Sequence, residues 1–123
     1  MKRNALMSGH KKIFLTVFLV VLNLTGAAIG AENTDLDKGK ALAFDRTIGN
    51  CLACHAIDDG ELPGNSGPPL LQMKTRYPDR NVLRAQIWDA TQRNPNSVMP
   101  PYGKHQILTE QELDLVVDYI QSL

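Results

Sequence analysis

The chain has 123 residues, with 13 Lys and Arg against 13 Asp and Glu. All 13 acids lie beyond Ala31, where only nine of the bases remain, so the chain without its first 31 residues carries a net charge of −4. That surplus argues against nucleic acid or anionic lipid as a partner and suits either a basic protein surface or plain solubility.

Lys2, Arg3, Lys11 and Lys12 precede an apolar stretch from Ile13 to Leu22 that fades through Asn23 into Thr25, Gly26, Ala27 and Ala28. This is the order of a secretory signal, and its apolar part is shorter than the roughly 18 to 20 residues that span a bilayer. Residues 1–31 are therefore read as a cleaved leader, with the cut between 28 and 31, and 32–123 as one domain delivered to the periplasm and free of the membrane thereafter. A domain that small is marginal on its own apolar burial.

Leu36, the stretch Gly39 to Ala43 and Phe44 predict a first helix from Leu36 to Ile48, capped by Thr34 or Asp35 and ending near Gly49. Next comes Cys51-Leu52-Ala53-Cys54-His55, the C-x-x-C-H pattern in which two thiols add to haem vinyl groups and the histidine takes the iron. Two cysteines one helical turn apart reach two neighbouring pyrrole edges from one side, and the next residue projects toward the macrocycle's centre. Three rivals are weaker. A redox dithiol needs a βαβ context that is missing, a zinc site has only His55 and His105 to draw on, and a disulfide across so short a loop is geometrically poor. One covalent haem c would also supply core mass that the domain lacks.

Two segments rich in Gly and Pro, Asp58 to Pro69 and Asn94 to Gly103, read as loops. In Gly67-Pro68-Pro69-Leu70 the prolines have fixed φ and no N–H, so a carbonyl there is placed to orient the second ring nitrogen of His55, with Leu70 packing on the ring. A short helical turn follows around Leu70 to Arg76, then a long helix capped by Asp79 and running to about Gln92, with Leu83, Ile87 and Ala90 on its buried stripe. The sixth iron ligand is a choice among Met73, Met99 and His105. Met73 sits at helical spacing beside Leu70 and Leu71, where methionine is usually core, whereas Met99 lies in a strap stiffened by Pro100 and Pro101, so Met99 is the expected ligand. Trp88 is a candidate for haem packing or a propionate hydrogen bond, and Arg76, Arg80 and Arg84 for propionate pairing. Leu52, Ala53, Pro100, Pro101 and Tyr102 are candidates for an apolar docking patch at the haem edge. Thr109 and Glu112 form a capping box ahead of Leu113, Val116, Val117 and Ile120, so the chain closes on an amphipathic helix. With no run of period two, the class is all-α, about three to four helices around one covalent haem.

The order of early helix, haem motif, Gly-Pro-x-Leu, methionine strap and closing helix resembles class I cytochromes c over the whole of 32–123. There, Gly39 or Ala43 with Phe44 and Tyr119 match the crossing of the terminal helices. More narrowly, Phe44-Asp45-Arg46, the haem motif with Gly49-Asn50, Leu62 to Leu70, Gln86 to Ala90 and Arg93 to Gly103 resemble the SoxX family, monohaem subunits of SoxAX cytochrome complexes in bacterial thiosulfate oxidation. The resemblance implies a SoxA-type partner carrying one or two haems, a SoxYZ carrier whose cysteine is joined to thiosulfate (the L-cysteine S-thiosulfotransferase reaction), and a downstream cytochrome c acceptor. This chain would accept electrons and hold no catalytic residue of its own. The alternative is a free periplasmic shuttle for a terminal oxidase or reductase; a haem peroxidase would need an open sixth position.

Overall fold

A computed structural model describes residues 34–123; the segment read as a leader, 1–31, lies outside the described residues. Helix α1 spans Asp35–Phe44 and starts on Thr34, whose hydroxyl accepts from the Asp37 amide at 3.2 Å while the Asp37 carboxylate accepts from the Thr34 amide at 3.0 Å. This reciprocal cap satisfies two donors that the first turn leaves unpaired. The helix ends sooner than the sequence pattern predicts. Asp45 turns extended, its carboxylate accepts from the Thr47 amide at 2.7 Å and its carbonyl from the Ile48 and Asn50 amides. An aspartate that bonds its neighbours' backbone competes with helix continuation.

Helix α2 is the single turn Met73–Arg76, α3 spans Arg80–Trp88 and α4 spans Glu110–Ser122. Asp79 caps α3 and accepts from the Asn81 amide at 2.8 Å. The predicted continuation of α3 to Gln92 is broken at Asp89, which takes φ −158° and ψ 95° and caps a separate 3₁₀ turn, Ala90–Gln92. Leu83, Ile87 and Ala90 are nonetheless all buried, because the 3₁₀ turn keeps Ala90 on the same side. Among the described residues there is no strand, only an isolated parallel bridge between Ile57 and Leu70.

Thr109 and Glu112 make the expected capping box on α4, which buries Leu113, Val116, Val117 and Ile120. Each such side chain contributes about 1.5–3 kcal/mol when fully covered. Helix α1 crosses α4 at Gly39, where a Cβ would fall 2.2 Å from the Leu115 carbonyl oxygen and 2.9 Å from the Tyr119 Cβ. Only a residue without a Cβ lets the backbones approach so closely. The Phe44 and Tyr119 rings then meet edge to face, 6.1 Å apart at 77°.

Arg80 and Arg84 lie between α3 and α4. Arg80 pairs with Asp118 at 2.5 Å and Asp114 at 3.1 Å, and Arg84 pairs with Asp114 at 2.9 Å and with Glu110. These partly exposed pairs are worth about 0–1 kcal/mol each, so they set the register of the two helices more than their stability. They also occupy both guanidiniums, which corrects the expectation that Arg80 or Arg84 serves a cofactor carboxylate.

Candidate cofactor site

The Asp45 turn leads into Asn50, which adopts a left-handed conformation at φ 47° and starts the 3₁₀ turn Cys51–Ala53. The His55 amide donates to the Cys51 carbonyl at 2.9 Å, which brings Cys51, Cys54 and His55 onto one wall of a cavity of about 620 Å³. The remaining walls come from Met73 of α2, Leu83 and Ile87 of α3, Val116 and Ile120 of α4, and the loop carrying Met99.

The histidine side is built almost wholly from backbone. His55 Nδ1 lies 2.7 Å from the Pro68 carbonyl oxygen. A carbonyl only accepts, so Nδ1 carries the proton and Nε2 keeps its lone pair. The Gly67 amide donates to the Cys54 carbonyl at 2.8 Å and the Leu70 amide to the Ala56 carbonyl at 2.9 Å, so the Gly67–Leu70 segment is sewn beside the motif. A Cβ on Gly67 would sit 2.3 Å from His55 Cε1; that position is a cradle for the imidazole. Pro68 and Leu70 both line the cavity, as expected.

Of the three candidates for the opposite side, Met99 and Met73 line the cavity and His105 does not; His105 is exposed. Met73 is 2% exposed, and its sulfur accepts from the Arg76 guanidinium at 3.4 Å. Met99 is half-buried on a loop whose neighbour Val98 is exposed. Trp88 does not line the cavity, contrary to its expected packing role; its indole lies against Gly103, where a Cβ would fall 1.8 Å from Cδ1. Tyr102 is buried rather than at the rim, with its hydroxyl donating to the Gly49 carbonyl at 2.5 Å. The sequence reading missed the polar lining residues Arg46, Gln86, Asn94 and Asn96. Arg46 lies shortly before the cysteine motif, Asn94 and Asn96 shortly before the methionine strap, and Gln86 beside Ile87 on α3. Arg76, which it did single out, lines the cavity and donates to the Pro69 carbonyl at 2.8 Å.

Burial pushes the Cys51 thiol up to about 11, so a free thiol there stays protonated and makes a poor redox dithiol. No group of three or more His, Cys, Asp or Glu suited to a metal ion occurs among the described residues. Two thiols and an imidazole with a free Nε2 on one wall, a thioether on another and apolar side chains between them fit a covalently bound haem.

Comparison with known proteins agrees. The cytochrome c family model matches residues 36–123. An uncharacterized lipoprotein of Aquifex aeolicus (strain VF5) is 32% identical over 75 residues, 60% of this chain and 36% of its own length. The chain thus spans about a third of that curated relative. The crystal structure of SoxXA from P. pantotrophus has a chain that superposes with a TM-score of 0.65 at 23% identity, covering 79% of this chain and 87% of that one. At that identity the likeness is one of fold.

Proposed function

The chain belongs to the cytochrome c family, and on that footing we propose that it is the monohaem, electron-accepting subunit of a SoxAX-type complex in a bacterial periplasm. Like its family it carries covalent haem c and transfers electrons. A haem held in the cavity supplies a reversible one-electron iron couple. Cys51 and Cys54 would hold it through thioethers, and His55 Nε2 and the Met99 sulfur would bind its iron. Pro68 fixes the imidazole's orientation through its carbonyl and raises its basicity. A methionine there raises the potential and leaves no position open for oxygen or peroxide.

The observation that carries the SoxAX reading is the fold shared with SoxXA, joined to the sequence run from Ile87 to Gly103. Both cysteines of the chain face the one cavity, so no thiol is left to handle sulfur. The complex would perform R–SH + S₂O₃²⁻ → R–S–S–SO₃⁻ + H⁺ + 2e⁻, with the thiol on a SoxYZ carrier. This subunit would remove the electrons singly and pass them to a downstream cytochrome c.

The test is co-expression with a SoxA-type cytochrome in a host that attaches haem. A heterodimer that survives moderate salt is expected, as is reduction of this chain's haem on adding thiosulfate and carrier together but not either alone. A chain that elutes alone at low salt, and is reduced equally well without carrier, is a free shuttle.

A further inference from the structure

The loop from Asp89 to Lys104 leaves the end of α3 and comes back to it, with Met99 along its way. Its foot is closed in three ways. The Trp88 carbonyl accepts from the amides of Gly103 and Lys104, both at 3.2 Å. Gly103 lies flat against the Trp88 indole with no room for a side chain. Asp89, 2% exposed, receives the Lys104 ammonium at 2.8 Å on one carboxylate oxygen, and the Thr91 hydroxyl and amide at 2.5 and 3.1 Å on the other. Apart from the Asn94 amide, which donates to the Ala90 carbonyl at 3.1 Å, the tip's hydrogen bonds run within itself: the Ser97 amide to the Asn94 carbonyl at 2.9 Å, the Asn96 amide to the Asn94 side chain at 3.1 Å and the Met99 amide to the Ser97 hydroxyl at 3.3 Å. Val98 beside the methionine is 86% exposed. Met99 packs against the core, but with so few hydrogen bonds leaving the loop the tip inherits its position from its foot, and segments of this kind open locally well before the whole domain does.

We infer that the Asp89–Lys104 ion pair, buried at its carboxylate and half exposed at its ammonium, is a clamp that positions Met99 and governs how readily the methionine sulfur leaves its ligand position. Neither Asp89 nor Lys104 lines the cavity; they act through the loop they close, and are positioning residues. The inference rests on Met99 as the axial ligand. Loss of the pair removes one tie of the return limb while the Trp88 carbonyl bonds and the Tyr102 hydroxyl bond to Gly49 remain, so the tip carrying Met99 moves at greater amplitude without the core unfolding. Asp89 without Lys104 still has Thr91 as donor, which keeps the helix end formed.

The experiment uses the haem-loaded protein and carbon monoxide, which binds reduced iron only when the sixth position opens. Asp89→Asn and Lys104→Met are compared with Lys40→Met, which breaks an ion pair to Asp58 and Asp59 on another face. Carbon monoxide should bind about tenfold faster to the first two, the effect of losing one charge-assisted hydrogen bond, and at the wild-type rate to Lys40→Met. On warming, the sulfur-to-iron charge-transfer band of the clamp variants should vanish well below the helix-melting temperature. Rates within twofold of wild type, or a band that disappears only as the helices melt, would overturn the clamp. Lys104→Met keeps the test open if Asp89→Asn folds poorly, because the lysine is half exposed. Met99→Ala separates the two levels: a band that survives it defeats the ligand assignment itself.

Discussion

On the histidine side of the cavity the fastenings are made almost wholly by backbone of the 67–70 segment, with one side-chain bond from Arg76 to the Pro69 carbonyl. Pro68 presents its carbonyl to Nδ1, Gly67 bonds Cys54, Leu70 bonds Ala56, and the ring fills the place where Gly67 would carry a Cβ. The methionine side hangs on a loop tied by side chains at its foot and by Tyr102 to Gly49, with an exposed valine beside the sulfur. The ring of His55 is held by steric exclusion directly against it. Met99 is held at a distance, through a foot where Gly103 abuts Trp88 and a few polar bonds close the loop, and its tip has more room to open. A fixed imidazole with a displaceable thioether gives a haem protein one adjustable ligand, and the difference follows from where each residue's partners lie along the chain.

The comparison breaks most directly at Gly67. Gly67→Ala forces a methyl against the imidazole, and overpacking of a rigid site costs about 1–3 kcal/mol or more. In a domain whose whole stability is on the order of 5–15 kcal/mol, that should lower the yield of haem-loaded protein and its unfolding temperature more than any change in the Met99 loop. Thermal unfolding by circular dichroism checks it; an unchanged midpoint would mean the histidine side has as much give as the other.

A second pair of variants sharpens the contrast within the methionine side. Met99→Ala should abolish the sulfur-to-iron charge-transfer band and lower the reduction potential with little loss of stability, since Met99 is only half-buried. Met73→Ala should do the reverse, keeping band and potential while costing about 2–5 kcal/mol, as expected for truncating a buried core methionine. Absorbance spectra and potentiometry on the two proteins decide it, and loss of the band in Met73→Ala alone would exchange the two roles.

What the sequence shows of all this is governed by range. The Thr109–Glu112 capping box, the Cys51–His55 motif and a carbonyl of the Gly67–Leu70 segment were legible because the partners lie within a few residues or because proline fixes the backbone, whereas the capping box at Thr34 and Asp37 was read only as an N-cap at Thr34 or Asp35. Helix α3 was read one turn too long: the Asp89 carboxylate cradles Thr91, two residues on, a local bond that competes with the helix, and Lys104, which it meets only after the loop returns. Trp88 was a candidate for haem packing or a propionate hydrogen bond, and its indole lies against Gly103. Arg80 and Arg84 looked free for propionates until α4 supplied Asp114, Asp118 and Glu110. The partners of Trp88, Arg80 and Arg84 come together only after the chain has folded back.

The smallest effect is the one that acid should draw out. The Lys104 ammonium, then the Thr91 hydroxyl, hold the Asp89 carboxylate down at about 2, against an ordinary value of 3.8. A carboxylate depressed on folding lends stability that is whole above its unfolded value and drains away as pH falls through the folded one. The Asp89 contribution is thus intact above about pH 4 and gone by about pH 2. The acceptor on the histidine side is a backbone carbonyl, which does not titrate in this range, so acid distinguishes the two fastenings. Asp37, Asp45, Asp59, Glu112 and Asp114 are also held below the usual carboxylate range, chiefly by hydrogen bonds, and they destabilise wild type and variant alike as the pH falls. The difference between the two proteins isolates Asp89. Asp89→Asn should unfold at a lower temperature than wild type by a constant margin from pH 7 to about pH 4, and the margin should close toward pH 2. Melting curves of both haem-loaded proteins across that range measure it. A margin that stays constant to pH 2 would mean that the asparagine loses packing rather than charge, and that the foot of the loop is held as the histidine side is, by shape.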